Sequence, residues 1–127
     1  MRFSISHPTR LDFGIACGVA IALVDGFANG GEVSPVVVVA LLLAASAAIG
    51  ALWGLSGWPA AAIVWAALPA PHVIKLAIGL TDAQHPSTWA SIAQLAGFTG
   101  VVVAIGGVGG ALLRAGLAGG RGRGARR

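Results

Sequence analysis

Four long apolar stretches separated by short polar breaks organise this chain. The first runs from Leu11 to about Ala28, with an uninterrupted core from Phe13 to Val24. Asn29, Gly30 and Gly31 then mark a turn. Ser34-Pro35 is a helix start: a serine hydroxyl accepts from the first free N–H groups, and proline in the first turn lacks an N–H that would have no partner there. Val36 to Leu55 follows without a charge, and Ser56-Gly57 interrupts it. Trp58-Pro59 opens a third stretch that reaches about Leu80. Thr81 to Ser87 is a loop carrying Asp82, His85 and Pro86, and Trp89 to Leu113 is a fourth stretch of 25 residues without a charge.

Each stretch is apolar on every face and close to the roughly 20 residues a helix needs to cross the hydrocarbon core. Valine runs at 36–39 and 101–103 would suit strands, but a membrane β-barrel strand alternates in polarity over about ten residues, and these do not. The pattern predicts an all-α integral membrane protein, a bundle of four transmembrane helices with spans at about 11–28, 35–55, 59–80 and 88–113. These form one domain over 11–113, with a polar lead at 1–10 and a basic Gly/Arg tail at 114–127 that the composition reads as unstructured. Pro69 and Pro71 lie inside the third span and predict a kink, because each removes a helix hydrogen bond.

Composition agrees: 57% of the residues are hydrophobic and 9% charged, against about 25% charged in soluble domains. A soluble chain of 127 residues has too little interior to hide this much apolar side chain. The net charge of +4 matters less than its placement. Arg2 and Arg10 precede the first stretch, Arg114, Arg121, Arg123, Arg126 and Arg127 follow the last, and Lys75 is the only other base. Asp25, Glu32 and Asp82 lie in or beside two internal connections. The positive-inside rule puts both termini in the cytoplasm, N-in and C-in, with 29–34 and 81–87 outside. Trp53 and Trp58 then flank the inner interface and Trp89 the outer one, whereas Trp65 falls within a span and is expected between helices. The Ala, Gly and Arg bias points to a GC-rich bacterial genome, hence a multi-pass protein of the bacterial inner (cytoplasmic) membrane. The basic lead, short apolar core and Gly26-x-Ala28 also read as a cleaved secretory signal, against which stands Asp12 just before the core.

Lipid gives helices no hydrophobic reason to associate, so small residues that let backbones meet carry the packing. Gly14, Gly18 and Ala22 form one such stripe, and Gly26 and Gly30 repeat its spacing. Gly50 with Gly54, and Gly106 with Gly110, recur at the same interval. The glycines at 106, 107, 109 and 110 predict either very close packing or a deformable inner end of the fourth span.

Asp25 continues the first stripe and is expected to face other helices. His72 and Lys75, three apart, share one face of the third helix, about 12 Å and 8 Å in from Leu80. Gln94 lies about 8–9 Å below the start of the fourth span. All four groups fall in the outer leaflet. Buried charge at that depth pairs or lines a cavity, so an Asp25–Lys75 pair with His72 and Gln94 as neighbours is the expected intramembrane cluster.

Neither a paired-carboxylate nor a nucleophile–base arrangement is visible, and no Cys/His cluster has metal-ligand spacing, so no catalytic residue, metal site or cofactor is expected and the chain does not read as an enzyme. Cys17 is the only cysteine and reads as a small hydrophobe. The terminal arginines are expected to contact anionic lipid headgroups; without aromatic residues to stack bases, the tail does not read as a specific nucleic-acid binder. The leading functional expectation is a non-enzymatic helix-packing or accessory subunit, partnered by the bilayer and by copies of itself or other membrane proteins. A small ion, proton or solute transporter using the polar cluster is the alternative, and pigment or haem binding through His72 a further one.

Overall fold

The computed structural model describes residues 9–28, 34–80 and 88–124, with side chains as far as 26 in the first segment and 120 in the last. Among these residues the chain is all helical: α1 (Arg10–Ala28), α2 (Pro35–Trp53), a 3-10 turn (Gly54–Gly57), α3 (Trp58–Ala66), α4 (Pro69–Ala77) and α5 (Trp89–Gly124). Two stretches, Pro35–Ala66 and Trp89–Gly120, are long and apolar enough to cross a membrane. The first folds back on itself at the 3-10 turn, because Gly57 returns to pack on Ile49 of α2.

The helix starts are locally encoded. Thr9 caps α1 through a reciprocal pair of bonds: its N–H and hydroxyl donate to Asp12 Oδ2 at 3.0 and 2.7 Å, and Asp12 N–H donates to Thr9 Oγ1 at 3.3 Å. Thr88 and Ser91 do the same for α5, with Thr88 N–H donating to Ser91 Oγ at 2.9 Å and Ser91 N–H to Thr88 Oγ1 at 3.1 Å. Ser34 accepts from Val36 N–H at 3.4 Å at the head of α2. Gly54 ends α2 at φ 62°, where a side chain is strained. Gly79, at φ 74°, closes α4 in a Schellman motif: Leu80 N–H donates to Lys75 O at 2.9 Å and Gly79 N–H to Leu76 O at 3.3 Å.

The predicted third helix is two helices. Ala67 and Leu68 form a turn, and Pro69 starts α4. Proline at 69 cannot donate to Trp65 O, which instead receives Leu68 N–H at a weak 3.5 Å. At the other end of the chain, α5 does not stop at Leu113 with an unstructured tail beyond it; the helix continues to Gly124. Extending a formed helix needs no new nucleus, so the alanines and leucine among these glycines suffice.

The helix directions follow from which residues meet. Gly14 lies against Ala60, Gly18 against Ile63 and Ala67, and Asp25 against His72, so α1 runs parallel to α3 and α4. Gly106 lies against Leu43, Gly110 against Ala47, and Arg114 against Leu52, so α2 runs parallel to α5. The 3-10 turn makes α2 antiparallel to α3. The core is small: Ile21, Leu42, Ile49, Ala60, Val64, Leu68 and Val103. Leu23, Leu55, Trp58, Phe98, Val101, Ile105 and Leu112 all point outward and are more than half exposed.

Candidate functional site

Three places in this fold concentrate polar groups or close backbone contact. The first is the α2–α5 seam. A methyl group placed on Gly50 would collide with the Gly107 carbonyl oxygen and lie 2.9 Å from Ala111 N. One on Gly110 would collide with the Ala47 carbonyl oxygen and lie 2.8 Å from Ala51 N. One on Gly106 would collide with Ser46 Oγ and lie 2.9 Å from Leu43 O. Backbone therefore touches backbone along this seam. Gly107 contributes its carbonyl to the seam, whereas Gly109 faces open space. Gly54 plays a different part from its neighbours, since its role is the turn; the nearest atom to its missing side chain is Arg114 Nη1 at 3.9 Å.

Two buried hydroxyls belong to this region. Ser46 is fully buried and donates to Leu42 O at 2.7 Å, and Thr99, 2% exposed, donates to Leu95 O at 2.7 Å. Each is satisfied within its own helix, so neither demands a ligand or a water. Among the described residues no buried side-chain polar atom lacks a partner. Trp65 sits between α3 and α5 and donates Nε1–H to Ala96 O at 2.8 Å.

The second place is the end of the fold where α1 finishes. His72 Nε2 lies 3.8 Å from Asp25 Oδ2, an ion-pair distance when the imidazole is protonated but too long for a hydrogen bond. Both side chains are about 30% exposed (27% and 31%). Lys75 follows one turn along α4 and is half-buried. The sequence pairs Asp25 with Lys75; the ion-pair contact of the carboxylate described in the structure is with the imidazole. Gln94 is exposed on α5 and, among the described residues, hydrogen-bonds to none of the other three.

The third place is the opposite end. Arg10 Nη1 donates to Ser56 O at 2.9 Å, and Arg114 Nη1 donates to Leu52 O at 2.6 Å. Two guanidinium groups thus occupy carbonyls at the end of α2 and in the 3-10 turn, where helix dipole and unpaired acceptors favour a cation. Arg121 and Arg123 belong to the last turn of α5, and Arg126 and Arg127 lie outside the described residues, as do Arg2, Gly30, Glu32, Asp82 and His85.

The stripe of α1 meets α3: a methyl on Gly14 would lie 2.9 Å from Ala60 Cα, one on Gly18 3.4 Å from Ala67 Cβ, and Ala22 borders the same contact. Gly26 faces open space. Cys17 is free, half-buried and packed on the core. Among the described residues no group of three His, Cys, Asp or Glu side chains could hold a metal ion. The helix-starting pairs Thr9/Asp12 and Thr88/Ser91 add to the starts expected from Ser34-Pro35, and their signal is a Ser or Thr followed three residues later by a polar acceptor.

Comparison with protein-family models, with curated proteins and with solved structures finds no match to this chain.

Proposed function

We propose that this chain is a four-span integral protein of a bacterial cytoplasmic membrane, with both termini inside, that acts without catalysis as a packing or accessory subunit of a membrane assembly. The observation that carries the reading is the outward placement of large apolar side chains on every helix, from Leu11 at one end of the chain to Leu117 at the other. Water would not tolerate that surface on a chain of this size, and lipid or a membrane partner does. The alternating helix directions support four crossings. The end that carries Arg10, Arg114 and the 3-10 turn is the basic end and therefore the cytoplasmic one. The packing of α1 on α3 supports retention of the first helix in the mature fold.

A packing role is favoured over transport because the four described grooves between the helices are apolar. None is lined by Asp25, His72, Lys75 or Gln94. A proton or solute path needs polar groups along water-accessible space. The transport alternative keeps one observation in its favour, a protonatable pair close to the helix break at Ala67 and Leu68. Purification in mild detergent with identification of what co-elutes tests the choice. We expect a stable complex with itself or another membrane protein, no bound pigment, and no ion or proton movement across liposomes under a gradient. Sustained flux that Asp25→Asn abolishes would replace the packing role by transport.

A further inference from the structure

Two apolar grooves of 330 and 410 Å³ meet along one side of α5. They share Gly54, Leu55 and Val108, and together they follow the helix from Gly100 to Ala118. Glycines at 50, 54, 57, 100 and 107 present no side chain and so leave the space of the groove, and Trp58, 71% exposed, stands at the edge. From Gly100 to Arg114 the groove covers about 21 Å, somewhat more than half of a hydrocarbon core of about 30 Å. That exceeds the depth of one leaflet, about 15 Å, and is long enough to hold an acyl chain.

Among the described residues Arg114 is the only charged one lining either groove, and it lies toward the cytoplasmic end. Its guanidinium is held in place by the bond to Leu52 O, which uses one of its five donors. It is exposed and, among the described residues, has no carboxylate partner. Gly54 beneath it leaves the space a side chain would fill. Neither groove is lined by a carboxylate that would receive a choline or ethanolamine ammonium.

From this juxtaposition of a long apolar groove with an anchored guanidinium that has no carboxylate partner among the described residues, we propose a binding site for an anionic phospholipid of the inner leaflet. One acyl chain lies in the groove along α5, and the headgroup phosphate accepts hydrogen bonds from the free edge of Arg114. A guanidinium binds phosphate through two parallel N–H···O bonds, which fixes the lipid's depth and orientation. Arg10, anchored on Ser56 O at the same turn, adds positive potential at the same level. The site rests on the membrane reading above and goes further: it gives one arginine and one groove a ligand, where the terminal arginines as a group give only general attraction to the surface.

The test uses the full chain purified in mild detergent, with dioleoyl phosphatidylglycerol and dioleoyl phosphatidylcholine as probes and native mass spectrometry as the readout. We expect about one phosphatidylglycerol retained per chain, with at least about tenfold preference over phosphatidylcholine, the scale of one charge-assisted contact. Arg114→Gln removes that preference, Arg114→Lys keeps the charge but not the paired bonds and so retains only part of it, and Ala104→Phe, which fills the groove from an exposed position, removes retention of both lipids. Circular dichroism and elution volume check that each variant is folded. Equal retention of the two lipids, or an unchanged preference in Arg114→Gln, overturns the site. So does a loss of oligomeric mass in Ala104→Phe without any headgroup preference, which would give the groove to a second copy. Carbonate washing separates the two levels: a chain that stays in washed membranes but shows no preference loses only the lipid site, and a chain washed out loses the membrane reading as well.

Discussion

The α2–α5 seam and the contact between α1 and α4 hold helices together by different physics. Along the seam, Gly50, Gly106 and Gly110 let backbones touch, and the two hydroxyls nearby are satisfied inside their own helices. The close contacts at these three glycines involve no charged group, and none of the three can be enlarged. At the α1–α4 contact, His72 and Asp25 approach only to 3.8 Å and both remain partly exposed. That contact is long, tolerant and responsive to its surroundings. Dispersion between close backbones holds the seam, whereas a half-exposed polar pair at 3.8 Å contributes little. The break at Ala67 and Leu68 leaves α4, which carries His72, as a short helix separate from α3.

The largest effect is expected from adding one methyl group to the seam. Gly50→Ala or Gly110→Ala drives Cβ into a backbone carbonyl that cannot rotate away, and should cost about 3 kcal/mol, the upper range of overpacking. Gly109→Ala, on the same helix but facing open space, should be neutral or stabilise by roughly 0.5–1 kcal/mol through helix propensity. Reversible unfolding in mixed detergent micelles measures both. Equal effects at positions 109 and 110 would abolish the distinction between the seam and the outer face of α5.

A middle-sized effect belongs to the α1–α3 face. Gly18→Ile pushes a branched side chain toward Ile63 and Ala67 and should destabilise by about 1–3 kcal/mol. Val19→Ile, at a residue 54% exposed, should stay within about 0.5 kcal/mol. If the two variants unfold alike, the stripe on α1 is not a contact.

The smallest effect should come from the polar pair. Asp25→Asn or His72→Gln removes a contact that is long and about 30% exposed, so the loss should be below about 1 kcal/mol. A loss of several kcal/mol in the same micelles would mean that the pair locks the structure as firmly as the seam does.

Much of this arrangement is legible in the sequence, and the misses have definite causes. Ser34-Pro35, Ser56-Gly57 and the prolines at 69 and 71 mark a helix start, a turn and a break because each acts through its own backbone chemistry. Small-residue spacing identifies Gly14 with Gly18 and Gly106 with Gly110 as residues that could meet a neighbour. It does not separate Gly107, in the seam, from Gly109, which faces open space, because α5 is apolar all round and its pattern carries no inward direction. Spacing likewise does not order the groups around Asp25. His72 and Lys75 lie three residues apart on one face of α4, so their spacing brings both toward the end of α1, and His72 Nε2 comes within 3.8 Å of the Asp25 carboxylate. The length of α5 is not visible in composition, which gives its Gly/Arg end no helix of its own, whereas a helix already formed continues to Gly124 without a new nucleus.

The central claim is that the turn at Gly54–Gly57 and the start of α2 lie on opposite sides of a membrane. In a chain carrying Cys17→Ala, Ser56→Cys and Ser34→Cys are introduced one at a time and treated with a membrane-impermeant maleimide in right-side-out and in inverted vesicles. The account predicts that Ser56→Cys reacts only in inverted vesicles and Ser34→Cys only in right-side-out ones. Reaction of both from the same side would contradict it.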